Sequence, residues 1–149
     1  MPKLNVLFVV NIPLSKQSIQ GIFIRNQISL IEKRHQVKVI TTSGKSKIHG
    51  YLSLIHYLVF HSRKYDVIHA HQSLPILLAS FFVPKKTIFV GSFLSCSHHN
   101  FRFKSERLNK FLYRFTTNRC DGVIVKNSNS VKTSSSPNTI LLPNSVNTE

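Results

Sequence analysis

Leu4-Asn5-Val6-Leu7-Phe8-Val9-Val10 is an almost unbroken apolar run, rich in valine. A strand with one wet face alternates polar and apolar residues. A strand apolar on both faces lies inside a sheet covered on both sides, and such sheets are built from parallel strands. The run therefore predicts a first, central parallel strand. Outward from it, Pro13 and the polar residues 15–20 mark a loop, and helix signals begin at Gly21. Ile24, Ile28 and Ile31 recur at i, i+4 and i+7, the stripe of a helix packed on a core. Residues 37–40 read as a second strand and residues 44–50 as a basic loop. Leu52, Ile55, Leu58 and Val59 follow at helical spacing, then a short strand over 67–70 behind Asp66. Residues 74–82 read as a buried helix with Pro75 tolerated in its first turn. A fourth strand over 87–90 is expected to stop at Gly91. Leu108, Phe111, Leu112 and Phe115 mark another amphipathic helix, and strands over 122–125 and 139–142 complete the series. Strand and helix alternate throughout. That pattern predicts one Rossmann-like α/β domain over residues 1–149, a parallel sheet with helices on both faces and right-handed crossovers.

Composition narrows the class. A chain of 149 residues, 42% hydrophobic, can close a core without metal or disulfide. The longest mostly apolar run, residues 74–83, is interrupted by Pro75 and Ser80 and is about half the length of a bilayer-spanning helix. The opening residues lack a small-residue cleavage site and read as a strand, not a signal peptide. Two cysteines, Cys96 and Cys120, form no CxxC, so a reducing cytoplasm is the expected compartment. Charge is the outlying feature: 20 Lys and Arg face five acids, a net charge of +15. Such a chain seeks anions, whether nucleic acid, anionic lipid or phosphorylated substrate. The five acids, Glu32, Asp66, Glu106, Asp121 and Glu149, leave little for a two-carboxylate mechanism.

In doubly wound sheets ligands bind beyond the carboxyl ends of the strands, which singles out the loops at 11–21, 71–73, 91–104 and 126–130. Gly21 at the start of a helix lets an anion approach backbone N–H groups at the positive end of the dipole, and Arg25 adds charge one turn in. Gly21 can equally serve only to ease a tight turn. His69 and His71, two apart on a strand, share a face. His71 suits a substrate contact or a hydrogen-bonded brace of the crevice, and His69 the brace. A zinc site would require further ligands such as His98 and His99, and no spaced cluster calls for a metal. Asp66 reads as a turn or cap residue. The stretch 97–104 mixes aromatic and basic side chains, which fits stacked bases, a membrane surface or a plain solvated loop.

Three segments carry a resemblance to a known family. Gly21-Ile22-Phe23-Ile24-Arg25-Asn26-Gln27 with Gln36-Val37-Lys38-Val39-Ile40, then Asp66-Val67-Ile68-His69-Ala70-His71, then Asp121-Gly122-Val123-Ile124-Val125 with Leu141-Leu142-Pro143-Asn144-Ser145-Val146-Asn147, resemble in order and spacing the amino-terminal half of family 4 glycosyltransferases. The resemblance implies the two-domain GT-B fold and transfer of a sugar from a nucleotide-sugar donor, with no further cofactor, to a glycan or lipid-linked acceptor in cell-surface polysaccharide assembly. It implies that this half holds the acceptor, and that a carboxy-terminal domain with paired glutamates, absent from this chain, holds most of the donor site. The chain alone is then expected to be inactive. By the same resemblance Gly21, Arg25, His71, Gly91 and Ser92 line the cleft. No catalytic residue is assigned, the configuration of the sugar is retained, and the setting is cytoplasmic, peripheral at an anionic inner membrane face. Two departures stand out. Val90 and Phe93 occupy positions where many members carry histidine and aspartate, and Ser145 and Asn147 replace the usual glycine and aspartate. These favour either a divergent site using Ser92, His98 or His99, or a non-catalytic truncated remnant. A basic nucleic-acid-binding module is the remaining alternative. It lacks any helix-turn-helix, zinc-finger or RNA-recognition motif, and the charge is spread over most segments.

Overall fold

The computed structural model describes residues 2–11, 19–43, 46–93, 101, 104–126, 131–132, 134 and 136–142. The apolar run at the start forms β1 (Asn5–Val10), followed by α1 (Ile19–Glu32), β2 (Gln36–Thr41), α2 (Lys47–His61), β3 (Val67–His71), α3 (Ser73–Phe82), β4 (Ile88–Phe93), α4 (Glu106–Arg119), β5 (Gly122–Val125) and β6 (Thr139–Leu141). A single 3-10 turn, Ser62–Lys64, links α2 to β3. Among the described residues all pairings are parallel, and the six strands lie in the order β2-β1-β3-β4-β5-β6.

The crossover from β1 to β2 runs one way along the sheet, and the later crossovers run the other way. With one hand of crossover throughout, α1 falls on one face and α2, α3 and α4 on the opposite face. The packing follows. Val6, Phe8 and Val10 point to α1 and meet Ile24 and Ile28. Leu7, Val9, Ile68, Phe89 and Val123 point to the other layer, where Leu54, Leu58, Ile76 and Tyr113 cover them. Each fully buried side chain of this size contributes about 1.5–3 kcal/mol. On the α1 face, cover thins out beyond β3: Ile88 is 52% and Ile140 57% exposed.

Two of the five acids act as latches at the amino-terminal edge of the sheet. The Asp66 carboxylate accepts from the Asn5 N–H at 2.8 Å, while the Asp66 N–H donates to the Asn5 carbonyl and its own carbonyl accepts from Ile88. Asp121 repeats the device, accepting from the Phe89 N–H at 2.8 Å. The expected turn role of Asp66 is thus a strand-pairing role.

Three boundaries differ from expectation. The helix containing Gly21 starts at Ile19, two residues earlier. The loop expected over 44–50 gives way to helix from Lys47, because Gly50 lets α2 seat on the end of β2: a Cβ there would stand 2.4 Å from the Thr42 carbonyl oxygen. Gly91 does not stop β4, which continues to Phe93. It is a packing glycine, its missing Cβ only 3.0 Å from the Cys120 sulfur and 3.1 Å from Ile76. The contact at residue 50 is with backbone, which cannot swing aside. Gly50→Ala is therefore expected to lower unfolding stability in urea by about 1–3 kcal/mol, against a change within about 0.5 kcal/mol for the exposed Ser53→Ala.

Candidate functional site

Strand order reverses between β1 and β3, and beyond the carboxyl ends of such a pair sheets of this kind bind their ligands. His69 and His71 stand there on β3. Both share the face of Phe8, since Phe8 is register partner of His69 and side chains two apart point the same way. The three rings form one cluster, with His71 stacked on both His69 and Phe8 and Phe8 tilted against His69. The His69 and His71 centroids are 4.3 Å apart, and Phe8 lies 4.9 Å from His69 and 5.7 Å from His71. Ser92, register partner of His71, comes in from β4 and its hydroxyl lies 2.7 Å from His69 Nε2.

The two histidines differ in how they are satisfied. His69 has Ser92, as a bracing histidine should. His71 is wholly buried, and among the described residues neither ring nitrogen has a hydrogen-bond partner. Burial holds His69 neutral, its pKa lowered to about 4. Burial, and then the neighbouring His69, hold His71 well below the usual imidazole range. Neutral imidazole offers one N–H donor and one acceptor nitrogen. His71 therefore carries a donor and an acceptor that no described group uses, a pattern matched to a hydroxyl. A proton-accepting base at neutral pH fits it less well, because the ring resists charge.

Immediately after His71, Gln72 has φ 70° and ψ 158°, a region left almost entirely to glycine. It is held there by its N–H, which donates to the Ser92 carbonyl at 2.9 Å, and by its carbonyl, which accepts from Ile76. The strand thus turns into α3 without a loop, at a backbone cost of about 1–3 kcal/mol. The rim also holds cations. Arg25 is half-buried on α1 with Nε unpartnered. Lys126, just past β5, sits 5.1 Å over the ring of Phe23, and burial lowers its pKa.

Of the residues expected to line the cleft, His71 and Ser92 are register partners on the face that α1 covers, and Gly21 and Arg25 belong to the first turns of α1, which begins at the same rim. Gly91 is not brought to them: it faces the opposite layer, against Ile76 and Cys120. Phe93 is core, packed edge-on to Tyr113 at 4.9 Å, and Val90 is half-buried beside His69. His98, His99, Cys96, the Pro-Asn turn and most of the stretch 97–104 lie outside the described residues. Among those described, no group of three metal-ligating side chains occurs. Cys120 is buried and its thiol pushed up to about 12, by burial first and Asp121 second, so it is a packing residue. Sequence reasoning missed two members of the site. Lys126 was visible only as the edge of a loop, and nothing in the residue type of Gln72 signals its backbone.

No protein-family model matches the chain, and no curated protein matches it in sequence. Among solved structures it is similar to Anabaena HepE, crystallised in complex with UDP and glucose. The likeness has a TM-score of 0.58 at 18% identity, and it covers 95% of this chain and 44% of that one. The chain thus shares the Rossmann-like fold of a nucleotide- and sugar-bound protein and spans less than half of that protein's length.

The imidazole geometry predicts two stability effects. His71→Phe removes a buried polar group without partners and keeps a ring stacked on Phe8, so it should raise unfolding stability by about 1 kcal/mol or more. Urea unfolding at pH 7 checks it. The second concerns pH. Folded pKa values below the unfolded 6.5 mean that the unfolded chain binds more protons as pH falls, so stability is full above about pH 6.5 and declines toward pH 4. His69 alone accounts for roughly 3 kcal/mol of that decline. Melting temperatures from pH 7.5 to 4.5 should fall more steeply for the native chain than for His71→Phe.

Proposed function

We propose that this chain is the acceptor-side half of a GT-B glycosyltransferase of the family 4 type. In this reading it works with a carboxy-terminal donor domain to pass a sugar from a nucleotide-sugar to a glycan or lipid-linked acceptor of the cell surface. The observation that carries the reading is His71: a fully buried imidazole, unpartnered on both nitrogens among the described residues, at the reversal point of a sheet whose solved neighbour holds UDP and glucose.

Each residue then has a physical task. His71 takes a sugar hydroxyl by accepting from it and donating to it. Ser92 fixes the His69 ring, and His69 in turn stacks on His71 and sets its plane. Gln72 pins the end of β3 to β4 so that the imidazole is held rather than swung. Arg25 and Lys126, with the amino-terminal end of α1, supply positive potential for a diphosphate or phospholipid acceptor. Catalysis in such a cleft rests on alignment of donor and acceptor, so half of it yields no turnover.

The reading makes a two-part prediction. The purified chain, given UDP-glucose and other nucleotide-sugars with glycan or lipid-phosphate acceptors, should transfer no sugar. In ¹⁵N spectra of the histidine rings, millimolar glucose or UDP-glucose should shift His71 and leave the exposed His56 unchanged. Turnover by the chain alone would refute the half-enzyme reading, and a His71 signal indifferent to every sugar and nucleotide-sugar would refute the acceptor site. Val90 and Phe93, which offer no polar group where the family has two, favour a second reading, a non-catalytic remnant. It predicts no transfer even when a donor domain is supplied.

A further inference from the structure

The fold concentrates charge that the sequence scatters. In a parallel α/β sheet every helix-to-strand connection returns to the amino-terminal edge. Here Lys33 and Arg34 stand ahead of β2, Arg63 and Lys64 ahead of β3, Lys85 and Lys86 ahead of β4, and Arg119 ahead of β5. Lys3 stands ahead of β1. All are exposed, and the strands they precede are five neighbours, β2-β1-β3-β4-β5. Adjacent strands lie about 4.8 Å apart, so the row of cations runs about 19 Å. Among the described residues none of these cations is in an ion pair, the one pair there joining Lys110 to Glu106 on α4. Of the acids at this edge, the Asp66 and Asp121 carboxylates are each taken by a backbone N–H, which leaves Glu32. The helix dipole accounts for a cation that follows a helix. It does not account for Lys3, which follows no described helix. Two clefts open on the same edge. One, of about 350 Å³, is lined by Asn5, Gln36, Val37, Lys38, Lys64 and Tyr65. The other, of about 300 Å³, has Lys85, Arg119, Asp121 and Phe89 in its lining. Arg119 is held there by Nε and Nη2, which donate to the Ser80 carbonyl at 3.2 and 3.0 Å.

We infer that the amino-terminal edge of the sheet binds a single-stranded nucleic acid, with phosphates along the row of cations and bases in the two clefts. At the 3.4 Å rise of a stacked strand the row faces about five phosphates. Binding of this kind needs a charged track with rings beside it and no groove-reading helix. Tyr65, next in the chain to Lys64, is half-buried and supplies a ring, and the amides of Asn5 and Gln36 belong to the same cleft. Sheet twist turns each strand by about 20–25° from its neighbour, so the row winds as it crosses. A flexible strand follows that winding, whereas a duplex, stiff over about 150 base pairs, meets only part of it. An acidic protein fits less well. Such an interface is built around an apolar centre, and the middle of the row, at the starts of β1 and β3, offers Asn5, Tyr65, Asp66 and cations. The edge lies at the other end of the strands from His71, about 16 Å away along the five residues of β3. The inference therefore does not depend on sugar transfer, and both ends can be occupied together.

Fluorescence anisotropy of a labelled oligo(dT) of roughly twelve nucleotides, titrated with the full chain at about 50 to about 200 mM salt, tests it. Five phosphate contacts give a slope of log K against log salt of about −3.5, so affinity should fall about a hundredfold over that range. Arg34→Gln, Lys64→Gln and Lys86→Gln together should bring the slope to about −1.5 and weaken binding about a hundredfold at about 0.1 M salt. Lys104→Gln, Arg107→Gln and Arg114→Gln, exposed on α4 and just before it, remove the same charge and should leave the slope unchanged. Tyr65→Ala should weaken binding about tenfold at constant slope, and Tyr65→Phe, which keeps the ring, should bind as the native chain does. The substituted cations are all exposed, and a melting curve for each variant confirms a folded chain. An equal loss of slope in the two triple variants would overturn the proposal, because net charge and not the edge would then be binding. So would a native chain that leaves the oligonucleotide free at about 50 mM salt, or duplex DNA or poly-L-glutamate that competes as well at equal charge.

Discussion

Register is what the site depends on, and Asp66 sets it. This one residue ties the starts of three central strands: its carboxylate and N–H hold β1, and its carbonyl holds β4. Side chains on a strand alternate with period two, so a slip of one residue would turn His69 and His71 into the α2–α3 layer and bring Ile68 and Ala70 to the crevice. The slip would bury two imidazoles among aliphatic side chains and strip His69 of Ser92. A carboxylate placed one residue before the strand, with both its backbone groups engaged, removes that option. Asp121 does the same for β5 against β4. An acid-poor chain thus uses two of its five acids where they fix geometry.

The crevice inherits its chemistry from that register. Stacking, burial and the cross-strand serine make His69 a satisfied, neutral ring, and this ring is the floor on which His71 rests. His71 is the residue that a purely structural design would have replaced. Leaving a donor and an acceptor dry costs stability that an aromatic ring of similar size would not. The adjoining peptide at Gln72 adds a second local cost in backbone strain. Two unfavourable features thus stand on neighbouring residues at the reversal point of the sheet.

Much of this was legible beforehand. The unbroken β1 run, the Ile24–Ile28 stripe and the regular alternation predict the parallel sheet, because burial on both faces leaves a sequence signature. His69 and His71 on one face follow from period two alone. What could not be read depends on contacts between distant segments. Gly91 looks like a strand breaker until Ile76 and Cys120 are seen crowding the place its Cβ would take. Gly50 looks like loop until the Thr42 carbonyl is seen beneath it. The left-handed backbone of Gln72 is imposed by Ser92, twenty residues on, in a residue type that does not ask for it. The basic edge is invisible in a linear chain, since only the topology brings the pairs at 33, 63 and 85 together.

One further property follows from the thin cover over the far strands. Ile88 and Ile140 lie exposed on the α1 face while the chain carries a net charge of +15. In dilute buffer, mutual repulsion keeps such molecules apart. At physiological ionic strength the range of that repulsion shrinks to about 8 Å, whereas the attraction between greasy strips is untouched by simple salt. Colloidal stability of the isolated chain is therefore a balance held by counter-ions, and it tips toward self-association as they accumulate.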